Sequence, residues 1–135
     1  GQKIKLFNYG KMKRDFTYID DVVSAIFRCI KKIPQKNNSF DTNNPNPSNS
    51  FAPFKVINIG NNKSVDLVYF IELLEKNLGK KANIILEPLQ KGDVIETCAD
   101  IRELKDWINF EPQISIEEGL YKFTNWFRNI YLRDI

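Results

Sequence analysis

At 135 residues the chain has the length of one ordinary domain and can bury a sizeable core. Its residues are 42% hydrophobic and 27% charged, which excludes an intrinsically disordered chain, and no run approaches the roughly 18 apolar residues of a membrane-spanning helix. The 20 basic and 17 acidic residues leave a net charge of +3, a small excess that argues against nucleic acid as the partner yet leaves room for one anionic ligand.

"KIKLFNY" (residues 3–9) alternates around Ile4 and Leu6, with Lys3, Lys5, Phe7 and Tyr9 on the other side, and reads as a strand. It looks already under way, as if the chain continued a larger protein. After a turn at Gly10, "RDFTYI" (14–19) reads as a returning strand. Asp20 is then placed to cap a helix whose Val22, Val23, Ile26, Ile30 and Ile33 recur at helical spacing until Pro34. Residues 35–53, asparagine-rich with Pro45, Pro47 and Pro53, show no periodicity and are expected to form a long, mobile surface loop. "FKVINIG" (54–60) suits a buried strand.

Ser64 is expected to open a second helix with Leu67, Ile71, Leu74 and Leu78 on one stripe, closed by Gly79. "NIILEP" (83–88) reads as a strand, followed by the loop "LQKGDV". Asp100 and Glu103 match a capping pattern for a short third helix, and Ser115 with Glu118 forms a clearer capping box. Behind that box Ile116, Leu120, Phe123, Phe127 and Ile130 keep helical spacing to the end, although Gly119 costs the helix about 1 kcal/mol against alanine. Strands alternating with about four helices predict a small α/β domain.

Several chemistries can be tested on composition alone. Histidine is absent, which removes the commonest general base and metal ligand. Cys29 and Cys98 are too few for a metal knuckle or disulfide framework and suit free thiols in a reducing compartment. The opening Gly1-Gln2-Lys3 lacks a basic-then-apolar signal segment, so the cytoplasm is the expected location. No G-x-G-x-x-G occurs, so no dinucleotide fingerprint is present. Tyr9 and Lys13 match Y-x-x-x-K, but a glycine turn separates them, and that pair works only on adjacent turns of a helix.

Arg14 is the most pointed residue. On a strand it shares a face with Phe16 and Tyr18, and its planar fork of donors matches phosphate or carboxylate. It could equally pair with Asp15, Asp20 or Asp21. Asp93, beside Gly92 in "QKGDV", could accept hydrogen bonds from a ribose diol or cap a turn. "NIGNN" (58–62) could offer backbone N–H groups to an anion, or be explained by ordinary helix capping.

Taken in order, "LFNYGKMKRDFTYIDD", "NPNPSNSFAPFKVINIGNN", "LQKGDVIETCAD" and "SIEEGLYKFTNWF" resemble the C-terminal part of extended short-chain dehydrogenase/reductase nucleotide-sugar epimerases (NAD-dependent epimerase/dehydratase family), especially UDP-glucuronate 4-epimerases. The resemblance spans nearly the whole chain. It implies that residues 1–135 are a single UDP-sugar-binding lobe lacking the Rossmann half. NAD and the catalytic Tyr/Lys pair, which oxidise and re-reduce the sugar at C4, would belong to that missing half. This lobe alone would be inactive, holding neither catalytic residues, nor cofactor, nor metal.

By the same resemblance Arg14 contacts the diphosphate, Phe7 and the backbone around Lys5 pack uracil, Asp93 reads the uridine ribose, and Gln90 falls at a second phosphate-binding position. The partner implied is a UDP-sugar, with no nucleic acid or membrane, in a homodimeric parent enzyme that makes capsule or cell-surface polysaccharide precursors. Lys91, Leu89 and Cys98 depart from the usual proline, methionine and aromatic or small residue, which leaves the sugar less defined. Two alternatives stand beside this reading. One is the lobe of a UDP-N-acetylhexosamine epimerase, dehydratase or decarboxylase. The other is a non-catalytic protein- or RNA-binding module using a basic hairpin of Lys3, Lys5, Lys11, Lys13 and Arg14.

Overall fold

The structure, a computed structural model, describes residues 2–131. Its first strand, β1 (Lys3–Leu6), finds its partner far along the chain. It runs parallel to β4 (Asn83–Leu86), with Lys3 opposite Asn83 and Leu6 opposite Leu86. The strand expected over 3–9 stops at Leu6 because Asn8, Tyr9 and Gly10 adopt φ values of 49°, 54° and 81°. Successive left-handed residues curl Phe7–Gly10 into a single 3-10 turn that a strand cannot pass through. Asn8 tolerates this by donating its side-chain amide to the Lys11 carbonyl (2.7 Å), and Tyr9 is held by its N–H on the Glu87 carbonyl (3.0 Å).

β2 (Lys13–Asp15) is shorter than the strand expected over 14–19. It pairs antiparallel with β3 (Ser64–Asp66), Arg14 lying opposite Val65. The expected hairpin between the first two strands is therefore not formed, because the 3-10 turn delivers them to different two-stranded sheets. Two of the five basic residues named for that hairpin are engaged with acids. Lys5 pairs with Glu87 (3.4 Å) and Arg14 with Asp93 (2.9 Å).

Helix α1 spans Ile19–Ile30. Asp20 is not its cap but lies with Asp21 in the first turn, where the exposed N–H groups favour carboxylates. The helix stops short of Ile33, and Lys31 and Lys32 close it by donating to the Arg28 and Cys29 carbonyls. Ala25 faces a small core with Ile101, Leu104 and Ile108, against which Cys29, Ile57, Ile59, Ala99, Trp107 and Phe110 pack. The apolar series at helical spacing is mostly exposed: Val23, Ile26 and Ile30 are 55%, 49% and 70% exposed. Asp21, like Ala25, is buried. Its Oδ2 accepts the N–H groups of Gln113 (3.1 Å) and Ile114 (2.9 Å), fixing the segment before the last helix.

Residues 54–60 are extended but join no ladder, since Ile57 and Ile59 are used to pack against the core instead. The preceding loop is pinned by Asx turns, in which Asn37, Asp41 and Asn46 accept from the N–H groups of Ser39, Asn43 and Ser48. Ser64 belongs to β3 rather than to a helix, because its hydroxyl donates to the Thr97 carbonyl (2.7 Å). Helix α2 (Leu67–Leu78) begins three residues later. Gly79 closes it in the left-handed conformation (φ 69°).

Helix α3 (Arg102–Ile108) starts as expected, with Asp100 accepting the Arg102 N–H at 3.0 Å. Glu103 does not reach back to complete that cap; it receives Ser48 and Lys55. Helix α4 (Ile116–Tyr131) packs on α2. Ser115 caps it by accepting the Glu118 N–H (3.2 Å), while the Glu118 carboxylate turns to Lys122 (2.9 Å). Gly119 lies against Tyr18: a Cβ there would sit 3.1 Å from the ring, which would have to shift by a few tenths of an ångström. The outcome is the expected α/β lobe, four helices around a few short strands.

Asp21→Ala would strand two N–H groups beside the core. It should lower stability by about 2 kcal/mol, read as a fall in the urea unfolding midpoint at unchanged slope.

Candidate functional site

Two of the sequence-singled residues meet. The Arg14 Nη2 donates to Asp93 Oδ1 at 2.9 Å, and its Nη1 donates to the carbonyls of Lys13 (2.8 Å) and Ile95 (3.2 Å). Both side chains keep roughly a quarter to a third of their surface open, 24% for Arg14 and 31% for Asp93. Backbone geometry sets the meeting. The Lys13 N–H donates to the Ile95 carbonyl (2.9 Å) and the Thr97 N–H to the Lys13 carbonyl (3.3 Å), so residues 95–97 run beside β2. Gly92, at φ 85°, turns the chain so that the Asp93 N–H reaches the Gln90 carbonyl (3.2 Å) and the carboxylate faces Arg14.

Arg14 thus pairs with Asp93, not with Asp15, Asp20 or Asp21. Nor does it share a surface with Phe16 and Tyr18. The strand ends at Asp15, and those two rings line an apolar groove of about 290 Å³ with Phe70, Gly119 and Phe123, Phe16 stacking on Phe70 at 4.3 Å. Gln90 lies exposed in the turn before Asp93 and enters through its carbonyl. Phe7 is half-buried at the start of the 3-10 turn, one residue past β1. Lys5 has its backbone in the β1–β4 ladder and its ammonium on Glu87. Phe7 lies on the connection from β1 to β2, and Gln90 and Asp93 lie on the segment that leads from β4 to the bridge of Glu96 with Lys13.

Sequence reading missed the role of Asp15. Its carboxylate accepts three backbone N–H groups, those of Asn61 (3.0 Å), Asn62 (3.0 Å) and Ala99 (2.9 Å), while its own N–H donates to Thr97 Oγ1 (3.1 Å). The turn at 58–62 does receive an anion, and that anion is the chain's own side chain. Among the described residues no group of three or more His, Cys, Asp or Glu could hold a metal ion.

A second missed feature is a polar cavity of about 430 Å³ between β3 and the start of α4. On its wall Tyr69 donates to Glu117 at 2.7 Å. That bond pushes the Tyr69 hydroxyl above its ordinary pKa and holds the Glu117 carboxyl below its own. Tyr9 and Lys13 sit in the 3-10 turn and in β2, so they form no helical pair. Cys29 and Cys98 are free thiols, and among the described residues no helix is long and apolar enough to cross a membrane.

Comparison with known proteins places this arrangement. A family model described as GDP-mannose 4,6 dehydratase matches residues 1–123. Protein CapI of Staphylococcus aureus is 45% identical over 130 residues, covering 96% of this chain and 39% of that protein. A probable UDP-glucuronate 4-epimerase of Rhizobium meliloti is 37% identical over 134 residues, covering 98% of this chain and 39% of that protein. UDP-glucuronic acid 4-epimerase from Bacillus cereus, solved with NAD, shares the fold at TM-score 0.70 and 27% identity, over 98% of this chain and 36% of that one. UDP-glucose 4-epimerase of Thermotoga maritima, solved with UDP-glucose, matches at TM-score 0.72 and 27% identity, over 95% of this chain and 35% of that one. The chain belongs to this family of nucleotide-sugar epimerases and dehydratases, and it spans 39% of the length of the two curated relatives.

Two measurements probe the local geometry. In Gly60→Ala the new methyl would overlap Ala99 and lie 3.0 Å from Asp15 Oδ2. The variant should lose about 2 kcal/mol of stability in thermal or urea unfolding. Tyr69→Phe removes the main cause of the low Glu117 pKa, so the Glu117 carboxyl should titrate higher, toward its usual range, in a carbon-detected NMR titration. Because the folded-state pKa is depressed, the stability this contact contributes is present above the unfolded carboxylate pKa and is lost as pH falls through the folded one.

Proposed function

We propose that this chain is the UDP-sugar-binding lobe of a longer NAD-dependent nucleotide-sugar 4-epimerase of the UDP-glucuronate type, making precursors of capsule or other cell-surface polysaccharide in the cytoplasm. The observation that carries the reading is the Arg14–Asp93 pair. Arg14 uses three guanidinium N–H bonds internally, on Lys13, Ile95 and Asp93. Five are available to the side chain, so among the described residues two remain for an anion. They are presented on a half-open surface by a group that cannot lose its charge. Asp93 Oδ1 holds Arg14 and the Val94 N–H, leaving Oδ2 to accept from a diol. A fixed cation beside a free carboxylate oxygen is complementary to a diphosphate joined to a ribose.

In this reading Phe7 and the backbone at Lys5 border the uracil, and Gln90 supplies an amide near the second phosphate. NAD and the proton-transferring groups belong to residues outside this chain, and the whole enzyme is a homodimer. The lobe contributes positioning: it holds the nucleotide while the sugar presents either face to the oxidising group. By itself it does not turn over. The relatives named UDP-glucuronate 4-epimerase favour glucuronate as the sugar. Product analysis with UDP-glucuronate separates this enzyme from a dehydratase, a decarboxylase or a UDP-N-acetylhexosamine epimerase.

In the full-length enzyme, Arg14→Ala should weaken UDP-sugar binding by roughly 1.5–3 kcal/mol, the worth of a charge-assisted hydrogen bond. Calorimetric titration reads the change, and an unaltered affinity would reject the diphosphate assignment.

A further inference from the structure

We infer that Asp93 is a positioning residue for Arg14, so that its carboxylate governs how tightly the diphosphate is held whether or not it also touches the ribose. This rests on the diphosphate reading of Arg14 proposed above and adds a function for the carboxylate within it.

The geometry divides the two oxygens of Asp93. Oδ1 accepts from Arg14 Nη2 at 2.9 Å and from the Val94 N–H at 2.9 Å, so one oxygen is tied at once to the guanidinium and to its own main chain. The Asp93 N–H is in turn held by the Gln90 carbonyl (3.2 Å) across the Gly92 turn. The carboxylate is therefore anchored to the loop before it meets the arginine. On the other side, Arg14 Nη1 is fixed by the Lys13 and Ile95 carbonyls. A guanidinium held at both nitrogens by groups on two different segments has little rotameric freedom left. The flexible side chain thus presents its remaining donors in one direction, and the ordering cost of ligand binding falls.

Electrostatics alone would give the opposite expectation. A carboxylate next to a phosphate-binding cation repels the incoming anion, so removing it should tighten binding. Orientation wins if the pair is the reason the arginine points at the ligand. The two effects differ in sign, and that makes the inference testable.

The experiment uses the full-length enzyme and three ligands: UDP, 2′,3′-dideoxy-UDP, which lacks the diol, and uridine, which lacks the diphosphate. Dissociation constants are measured for wild type, Asp93→Ala, Arg14→Ala and the double variant. Positioning predicts that Asp93→Ala weakens dideoxy-UDP on the order of tenfold, weakens UDP at least as much, and adds little for dideoxy-UDP in the Arg14→Ala background; uridine loses no more than the diol contact. Asp93→Asn, which keeps the shape and can still accept from Val94, should fall between wild type and alanine.

Tighter binding of dideoxy-UDP to Asp93→Ala would overturn the inference in favour of plain repulsion. A loss seen with UDP but absent with dideoxy-UDP would reduce Asp93 to a ribose contact and overturn it too. A loss for dideoxy-UDP that persists at full size in the Arg14→Ala background would mean that the loop itself has collapsed, and it would overturn the positioning role as well. In each of these three cases Arg14→Ala still weakens UDP, so the diphosphate reading survives. Wild-type UDP affinity in Arg14→Ala would instead remove that reading and this inference together.

Discussion

The Asp15 carboxylate is the constraint on which the arrangement depends. Three backbone N–H groups from two separate segments converge on it, Asn61 and Asn62 from one, Ala99 from the other. Each is a charge-assisted bond, stronger than a neutral one and short-ranged enough to fix position. Through them β2 is clamped between the turn that precedes β3 and the strand-like stretch that precedes α3. Close packing follows from the clamp, since Gly60 approaches Ala99 too closely for any side chain. Arg14 is the neighbouring residue on the same short strand. Its direction is set by how firmly Asp15 is seated, because alternate residues of a strand point to opposite faces.

A second layer of control comes from the connections. The chain passes from β1 to β2 through the left-handed turn at Phe7–Gly10, and after β4 it comes back beside β2 through the segment around Gly92. These connections place Phe7, Gln90 and Asp93 beside elements already fixed by ladders, so recognition groups sit on loops held by rigid neighbours. Positive φ at Asn8 and Tyr9 is the conformational strain this geometry carries, offset by the Asn8–Lys11 and Tyr9–Glu87 bonds.

The helices were largely legible because their signals are local. The spacing of Leu67, Ile71, Leu74 and Leu78, the glycine at 79 and the serine at 115 name α2 and α4 with small errors at the ends. Strand pairing was not legible. Adjacent segments suggested a hairpin, whereas Lys3 pairs with Asn83 and Lys13 with Asp66, and nothing in the immediate neighbourhood of either encodes a partner so remote. Helix α1 turns Ala25 and Asp21 inward and leaves Val23, Ile26 and Ile30 exposed, and the two N–H groups that Asp21 accepts come from residues too remote to be read from the local sequence. At the site, residue chemistry singled out Arg14 and Asp93 separately. Their contact joins positions 79 residues apart and became visible only in three dimensions, as did the role of Asp15.

The parallel pairing of the first strand with the fourth has a consequence for biosynthesis. Made from its amino end, the nascent polypeptide must carry Lys3–Leu6 unpaired until Asn83–Leu86 has emerged from the ribosome. Arg14 must likewise wait for Asp93. Loop closure over such a distance is entropically costly and slow. A truncated translation product ending before the Gly92 turn would lack the Arg14–Asp93 contact, although β2 could already have met β3.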